Sequence, residues 1–341
     1  MSVRAATHAG SWFSGNKTTL SKQIDQLVAA VKDKHPEFPI PGARVLVGPH
    51  AGYTYSGKTL AETYSAWDTS KVKRVFILGP SHHVLFRGAG LTEFAAFDTP
   101  LGKVPVDTEC VNELLKSRLF TIFDEEDDER EHSIELHLPF LFKASEKSPN
   151  GVPSIVPIVI SSTTPSYEEE LGKFLSKYVS NEENAFVISS DFCHWGLNYG
   201  YTAYTPSPDV EEVVALGKTR SRSRSSHPDL PHGEVSDKTP IYKSIEYLDR
   251  KAMEVLSTGS IDQWNEYMDL TENTICGRRP FSSLLHCLNS ASKKRLPMNG
   301  FASEHERDTW GKLQWIGYAQ SGKVHSLKDY SVSYTSGYAV I

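Results

Sequence analysis

The chain lacks long hydrophobic runs. Nowhere in its 341 residues does an uncharged apolar stretch approach the roughly 20 residues that span a bilayer, so membrane insertion is not expected. The opening MSVRAATHAGSWFSG has one arginine and no apolar segment of the signal type, which predicts a cytoplasmic location with possible nuclear access. Cysteine is scarce: Cys110, Cys193, Cys276 and Cys287 lie far apart with no CxxC pair. That spacing excludes a disulfide scaffold and a structural zinc module, and predicts reduced thiols. Excess positive charge is also missing. A formal net charge of −6 provides no global field to draw in nucleic acid. No Gly-rich phosphate loop, G-x-S-x-G elbow or Walker lysine occurs, so neither a nucleotide cofactor nor serine-hydrolase chemistry is expected.

What is present is an ordinary globular composition, 39% hydrophobic and 23% charged. Short apolar runs of strand character recur at RVLVG (from 44), RVFILG (74), SIVPIVI (154), AFVISS (185), LQWIGYA (312) and SVSYTSGYAVI (331). Helical patterns at about 16–33, 57–67, 107–117 and 166–179 lie between several of them, and IYKSIEYLDRKAMEVL and PFSSLLHCLNSASKK follow after 240. The alternation predicts one α/β domain over 1–341, with a mixed, largely parallel central sheet flanked by helices. VFIL and FVI read as central strands covered on both faces. The polar alternation of SVSYTSGY predicts a half-exposed strand at the sheet edge. The segment at about 203–240, rich in Ser, Arg and Pro, reads as a surface insertion: a solvated loop, or a phosphorylated or RNA-directed patch. The acidic run DEEDDERE at 124–131 lacks the spacing of a calcium loop and reads as a solvated turn.

Three strands end in groups able to bind metal or move protons. VLVGP delivers His50, FILGPS delivers His82 and His83, and FVISS delivers Asp191, with Cys193 and His194 just beyond. In an open α/β sheet such carboxyl ends line the ligand crevice. Two imidazoles and one anionic group on a common face suit a redox metal, whereas each histidine alone would more simply be a hydrogen-bonded packing residue. Successive side chains of an extended chain point to opposite sides, so His82 is expected to ligate and His83 to support. The anionic ligand could be Cys276 in TENTICGRRPF. Pro280 can open a helix there, and the helix dipole with Arg278 and Arg279 would favour thiolate; the alternative is a small buried hydrophobe, the role expected for Cys110 and Cys287. EHSIELHLPF contains no zincin H-E-x-x-H. If it is helical, His132 and Glu135 share a face, and either could orient a metal-bound histidine, cap the helix or form a salt bridge.

HAGSWF, PHAGYTYSG, ILGPSHH, DEREHSIELHLPF, VISSDFCHWG, IYKSIEYLD, NTICGRRP, YAQS and DYSVSYTSGYA occur in this order and span nearly the whole chain. Together they closely resemble the MEMO family, mediators of ErbB2-driven cell motility. The Ser/Arg-rich segment is an insertion relative to animal members and points to a fungal or other lower-eukaryote homologue. The resemblance implies a fold akin to the LigB-type class III extradiol dioxygenases and a centre of two His and one Cys, here His50, His82 and Cys276. It implies copper or iron binding, copper-dependent redox activity, and signalling partners in motility or invasive growth, including phosphotyrosine peptides. The pocket would then be lined by Trp12, Tyr55, His83 and Glu135, with Asp191 and His194 handling protons. A thiolate in place of the dioxygenase carboxylate puts ring cleavage in doubt.

Overall fold

The computed structural model describes residues 2–217, 230–295 and 308–341. Its main sheet runs in the order His194–Trp195, Ser331–Val340, Ala43–Gly48, Asn184–Ser189, Arg74–Pro80, Ser154–Ile160, Ala89–Leu91 and Phe120–Ile122, with Gln314–Gln320 paired to the outer side of Ser331–Val340. The four central strands from Ala43–Gly48 to Ser154–Ile160 are mutually parallel. Nearly every residue in them is buried, as continuous apolar runs between two covered faces require. Phe76 stands opposite Phe186 in register, their rings stacked 5.1 Å apart. Helix Tyr53–Ala66 lies on Ala43–Gly48 and Ser331–Val340, and helix Arg278–Arg295 lies against Arg74–Pro80 and Asn184–Ser189. This is the expected α/β fold with a mixed, largely parallel sheet. No helix among the described residues is long and apolar enough to cross a membrane.

The predicted helices form with small shifts at their ends. Asn16 caps Lys17–Lys32 by accepting from the Thr19 N–H, and Asp107 caps Thr108–Leu115 by accepting from the Cys110 N–H. Helix Tyr53–Ala66 begins four residues before the expected 57. Gly57, the expected first residue, sits inside the helix, where a Cβ would come 3.2 Å from Leu27. Helix Pro165–Leu175 gives way to a 3-10 turn at Ser176–Tyr178.

Two expectations are corrected. Ser331–Val340 is not an edge strand: it lies between Ala43–Gly48 and Gln314–Gln320 and is mostly buried. Its hydroxyls face polar partners within the protein, as when Ser336 donates to the half-buried Glu62 at 2.7 Å, so a polar alternation that looks solvent-facing is internal. The segment at 203–240 is not wholly a surface loop. Ala203–Tyr204, Val214–Leu216 and His232–Gly233 form a small sheet. Tyr204, Val210, Val213 and Leu216 pack with Ile241, Ile245 and Leu248 of helix Ile241–Thr258 in a second apolar cluster. The Ser/Arg run itself, at 218–229, lies outside the described residues.

Candidate metal centre

Because the central strands are parallel, their carboxyl ends share one edge of the sheet, and the groups beyond them converge there. Gly48 pairs with Ser189 in register, which places His50 beside the turn that carries Asp191. The His50 N–H donates to Asp191 Oδ1 at 2.9 Å. The Ser189 hydroxyl donates to the Ser133 carbonyl at 2.6 Å, so its oxygen is left to accept from His50 Nδ1, also at 2.6 Å. Nδ1 therefore carries the His50 proton. Nε2 keeps its lone pair and faces Cys276 Sγ at 3.2 Å.

His82 is held by a different device. Glu131 takes its backbone N–H at 2.6 Å and its Nδ1–H at 2.8 Å, again leaving Nε2 open. Cys276 sits just before helix Arg278–Arg295, where the Asp191 N–H donates to its sulfur at 3.1 Å. The Gly277 N–H donates to Ser190 Oγ at 2.9 Å, and a Cβ on Gly277 would fall 2.4 Å from the Ser190 Cβ. The approach of the two loops thus needs glycine at 277. His50, His82 and Cys276 each offer a ligand atom within 4.8 Å of the others.

Burial dominates the electrostatics. It pushes the fully buried His50 well below the ordinary histidine value, and like-charge repulsion from His82 and His132 lowers it further. Burial, and then the Asp191 charge, push the Cys276 thiol up. The expected thiolate is therefore corrected: desolvation outweighs the N–H groups that donate to the sulfur, and Arg278 is exposed to solvent. Glu131 goes the other way. Burial would raise it, but the hydrogen bonds and charge of His82 hold it down at about 2.

The other expected residues divide. The Trp12 ring lies 4.5 Å from that of His132, and the His82 and His132 rings stack at 4.3 Å. His83 is exposed at the rim, 6.0 Å from His132. Tyr55 is 60% exposed on the first turn of its helix, and among the described residues no ring contact joins it to the site histidines. Asp191 does not orient His194, whose Nδ1–H donates instead to the carbonyls of Phe192 at 2.9 Å and Thr274 at 3.1 Å. Glu135 does not reach His82. It accepts from Arg4 at 2.7 Å and from His8 Nδ1 at 2.8 Å, because residues 132–134 are not helical and the 3-10 turn begins only at Glu135. The carboxylate on the metal-facing histidine is Glu131, which the acidic composition of its neighbours disguised as solvated. Ser189 and His8 were likewise missed. The one signal was the strand ending VISSD, where a hydroxyl precedes the turn.

Compared with known proteins, residues 4–338 match the family model described as Memo-like protein. The chain is 37% identical to the MEMO1 family protein MHO1 of Saccharomyces cerevisiae, with all of both chains covered. It is 37% identical to Protein MEMO1 of Xenopus laevis, over 99% of this chain and 97% of that one. Against Protein MEMO1 of Homo sapiens it is 34% identical, over 98% and 96%. Among solved structures, an uncharacterized protein of Escherichia coli K12 aligns with 16% identity and a TM-score of 0.43, over 85% of this chain and 98% of that one. Matched along almost its entire length by the family model and by fungal and vertebrate relatives, this chain belongs to the Memo-like family.

Proposed function

We propose that the chain is a copper- or iron-binding protein whose His50, His82 and Cys276 hold the metal, and that its redox chemistry feeds motility or invasive-growth signalling in the cytoplasm or nucleus. The observation that carries this reading is the commitment of the other valences. His50 Nδ1 is taken by Ser189, His82 Nδ1 by Glu131, and the remaining donor of each, with the Cys276 sulfur, faces a common space. Histidines that ligate metals are fixed in this way by a partner on the second nitrogen. One soft sulfur beside two imidazoles fits copper, Cu(I) above all, better than a hard cation. When bound, the metal would supply one-electron exchange with dioxygen. The residues of the chain bind and orient it, and Cys276 gives up its thiol proton on ligation. His194 is fixed through Nδ1, leaving Nε2 as the atom that would accept or return a proton, with Asp191 nearby as a buried charge.

Copper and iron titration of reduced, metal-free protein, read by elemental analysis and EPR, tests the reading on wild type and Cys276→Ala. Near-stoichiometric copper that is lost in the variant supports it. Equal copper uptake by both proteins, or no uptake of either metal by wild type, overturns it.

A second reading is favoured by the wall formed by Trp12 and His132, with His8 in edge contact with Trp12. An aromatic face and imidazoles beside it could hold a phosphotyrosine ring and its charge, making the protein an adaptor. Retained peptide affinity in a metal-free His50→Ala variant separates this from the first reading. A third, extradiol ring cleavage, predicts a yellow product from catechol and Fe(II), and a catechol panel without one rules it out.

A further inference from the structure

His82 belongs to two donor sets. The first is the centre described above, which it faces with Nε2. The second is on its other side, where His82, Glu131 and His132 also offer ligand atoms within 4.8 Å of one another. Glu131 Oε1 lies 2.8 Å from His82 Nδ1 and 3.7 Å from His132 Nδ1. The two imidazole rings stack at 4.3 Å with an interplanar angle of 20°. The side chains of Glu131 and His132 are 1% and 12% exposed, so the set is enclosed on the protein side. Only His82, at 26%, opens towards solvent.

One atom in this set lacks an occupation. Among the described residues His132 Nδ1 is buried without a hydrogen-bond partner, although a buried polar nitrogen left unpaired costs about 1–3 kcal/mol. It lies beside a carboxylate whose hydrogen-bonding capacity is not exhausted. Glu131 Oε1 accepts from His82 Nδ1 and from the Ser133 N–H at 2.9 Å, and Oε2 accepts the His82 N–H. If Nδ1–H of His82 is withdrawn, Oε1 regains a lone pair while both backbone donors stay satisfied. Two imidazoles and one carboxylate with open positions form the donor chemistry that suits Fe(II) and comparable divalent ions. Two donors about 2.1 Å from one metal lie no more than about 4.2 Å apart, so closing this set draws the donors slightly together and turns one of the two stacked rings until its in-plane lone pair converges on the ion.

We propose that His82, Glu131 and His132 form a second metal site, for a divalent ion of intermediate hardness, and that the tautomer of His82 decides which site is open. The first centre uses Nε2 and needs the proton on Nδ1, where Glu131 now holds it. The second uses Nδ1 and needs the proton on Nε2. No proton leaves the imidazole in passing between them; it moves from one nitrogen to the other. A neutral His82 therefore serves one metal at a time, so Cu(I) in the first centre and a divalent ion in the second exclude each other without competing for space. Such coupling is reciprocal. The second site stands on its own geometry, while the exclusion rests on the first centre being as proposed above.

Cobalt(II) is the probe, because thiolate ligation adds an intense charge-transfer band that nitrogen and oxygen ligands do not give. The full-length Cys276→Ala chain is expected to bind about one equivalent of Co(II) with ligand-field bands alone. Adding His132→Phe, which keeps a ring against His82 and Trp12, should weaken that binding by about 10–100-fold. Adding Glu131→Gln to Cys276→Ala should weaken it similarly, with circular dichroism confirming that each chain is folded. Co(II) binding unchanged by both additions overturns the second site. Wild type preloaded with Cu(I) should take up Co(II) at least about tenfold more weakly than Cys276→Ala, and equal uptake overturns the exclusion. Failure of wild type to take up Cu(I) would instead defeat the first centre, and the Cys276→Ala titrations judge the second without it.

Discussion

Asn273 donates its side-chain N–H to Asp249 Oδ1 at 3.1 Å, both residues being buried. Asp249 also accepts the Cys193 N–H at 3.2 Å and the Tyr318 hydroxyl at 2.9 Å. One carboxyl thus ties helix Ile241–Thr258 to the strand end that carries His194, to the loop that carries Cys276, and to the C-terminal hairpin. Asp249→Ala would leave the Cys193 N–H and one side-chain N–H of Asn273 unpaired, while the Tyr318 hydroxyl keeps Ser333 Oγ within reach at 3.2 Å. It should destabilise the fold by about 3 kcal/mol and weaken Cu(I) binding although it is not a ligand. Urea unfolding and metal titration measure the two effects, and an unchanged unfolding midpoint contradicts the role.

His137 sets an acid limit on stability. It is fully buried, bonded through Nδ1 to the Tyr64 hydroxyl at 3.0 Å, with no hydrogen-bond partner on Nε2 among the described residues. Burial pushes its pKa down to about 3, so the folded protein binds this proton less readily than the unfolded chain does. Its contribution is fully present above pH 6.5, the ordinary histidine value. As the pH falls from there towards 3 it is lost, at up to about 1.4 kcal/mol per pH unit. Unfolding free energies of wild type and His137→Asn, compared across that range, should show a shallower slope in the variant.

Arg4 is almost completely buried and pairs with Asp128 at 3.0 Å and Glu135 at 2.7 Å. Arg4→Met would strand two buried carboxylates and release the Glu135 that holds His8. A loss of about 3–5 kcal/mol is expected, and Arg4→Lys should recover little because one ammonium cannot span both partners. Chemical denaturation of the three proteins checks this.

Gly277→Ala tests the approach of the two loops. The added Cβ would meet Ser190 Cβ at 2.4 Å, pushing the Cys276 turn away from Asp191. The variant should lose metal affinity and about 1–3 kcal/mol of stability. Adding Ser190→Gly removes the collision and should restore part of both. Failure of the pair to recover either would show that the contact does not set the position of Cys276.

Ser189→Ala removes the acceptor of His50 Nδ1–H but no metal-facing atom. Cu(I) affinity should fall by about 10–100-fold with little change in stoichiometry, as isothermal titration against a competing chelator would reveal.

Much of the fold was legible because its signals are local. Continuous apolar runs such as VFIL mark strands buried on both faces, and caps such as Asn16 and Asp107 mark helix starts within a residue or two. The expected start at 57 falls four residues inside helix Tyr53–Ala66, where Gly57 lies close under Leu27. Ser331–Val340 reads as an edge strand because serine and threonine look exposed when a partner such as Glu62 lies far away in the chain.

Residue order by itself determined the strand ends and therefore the supply of His50, His82, Asp191 and His194 at one edge of the sheet, because parallel strands bring like ends together. Only the tertiary structure decided how those groups are held. Glu131 comes to His82 across 49 residues, Ser189 to His50 across 139, and Cys276 to His50 across 226. Tautomers and thiol protonation follow from those meetings and from the burial that accompanies them. The physical reason is that a hydrogen bond or a desolvation cost depends on which atoms lie within a few ångströms, and in a sheet of this topology those atoms are rarely neighbours in sequence.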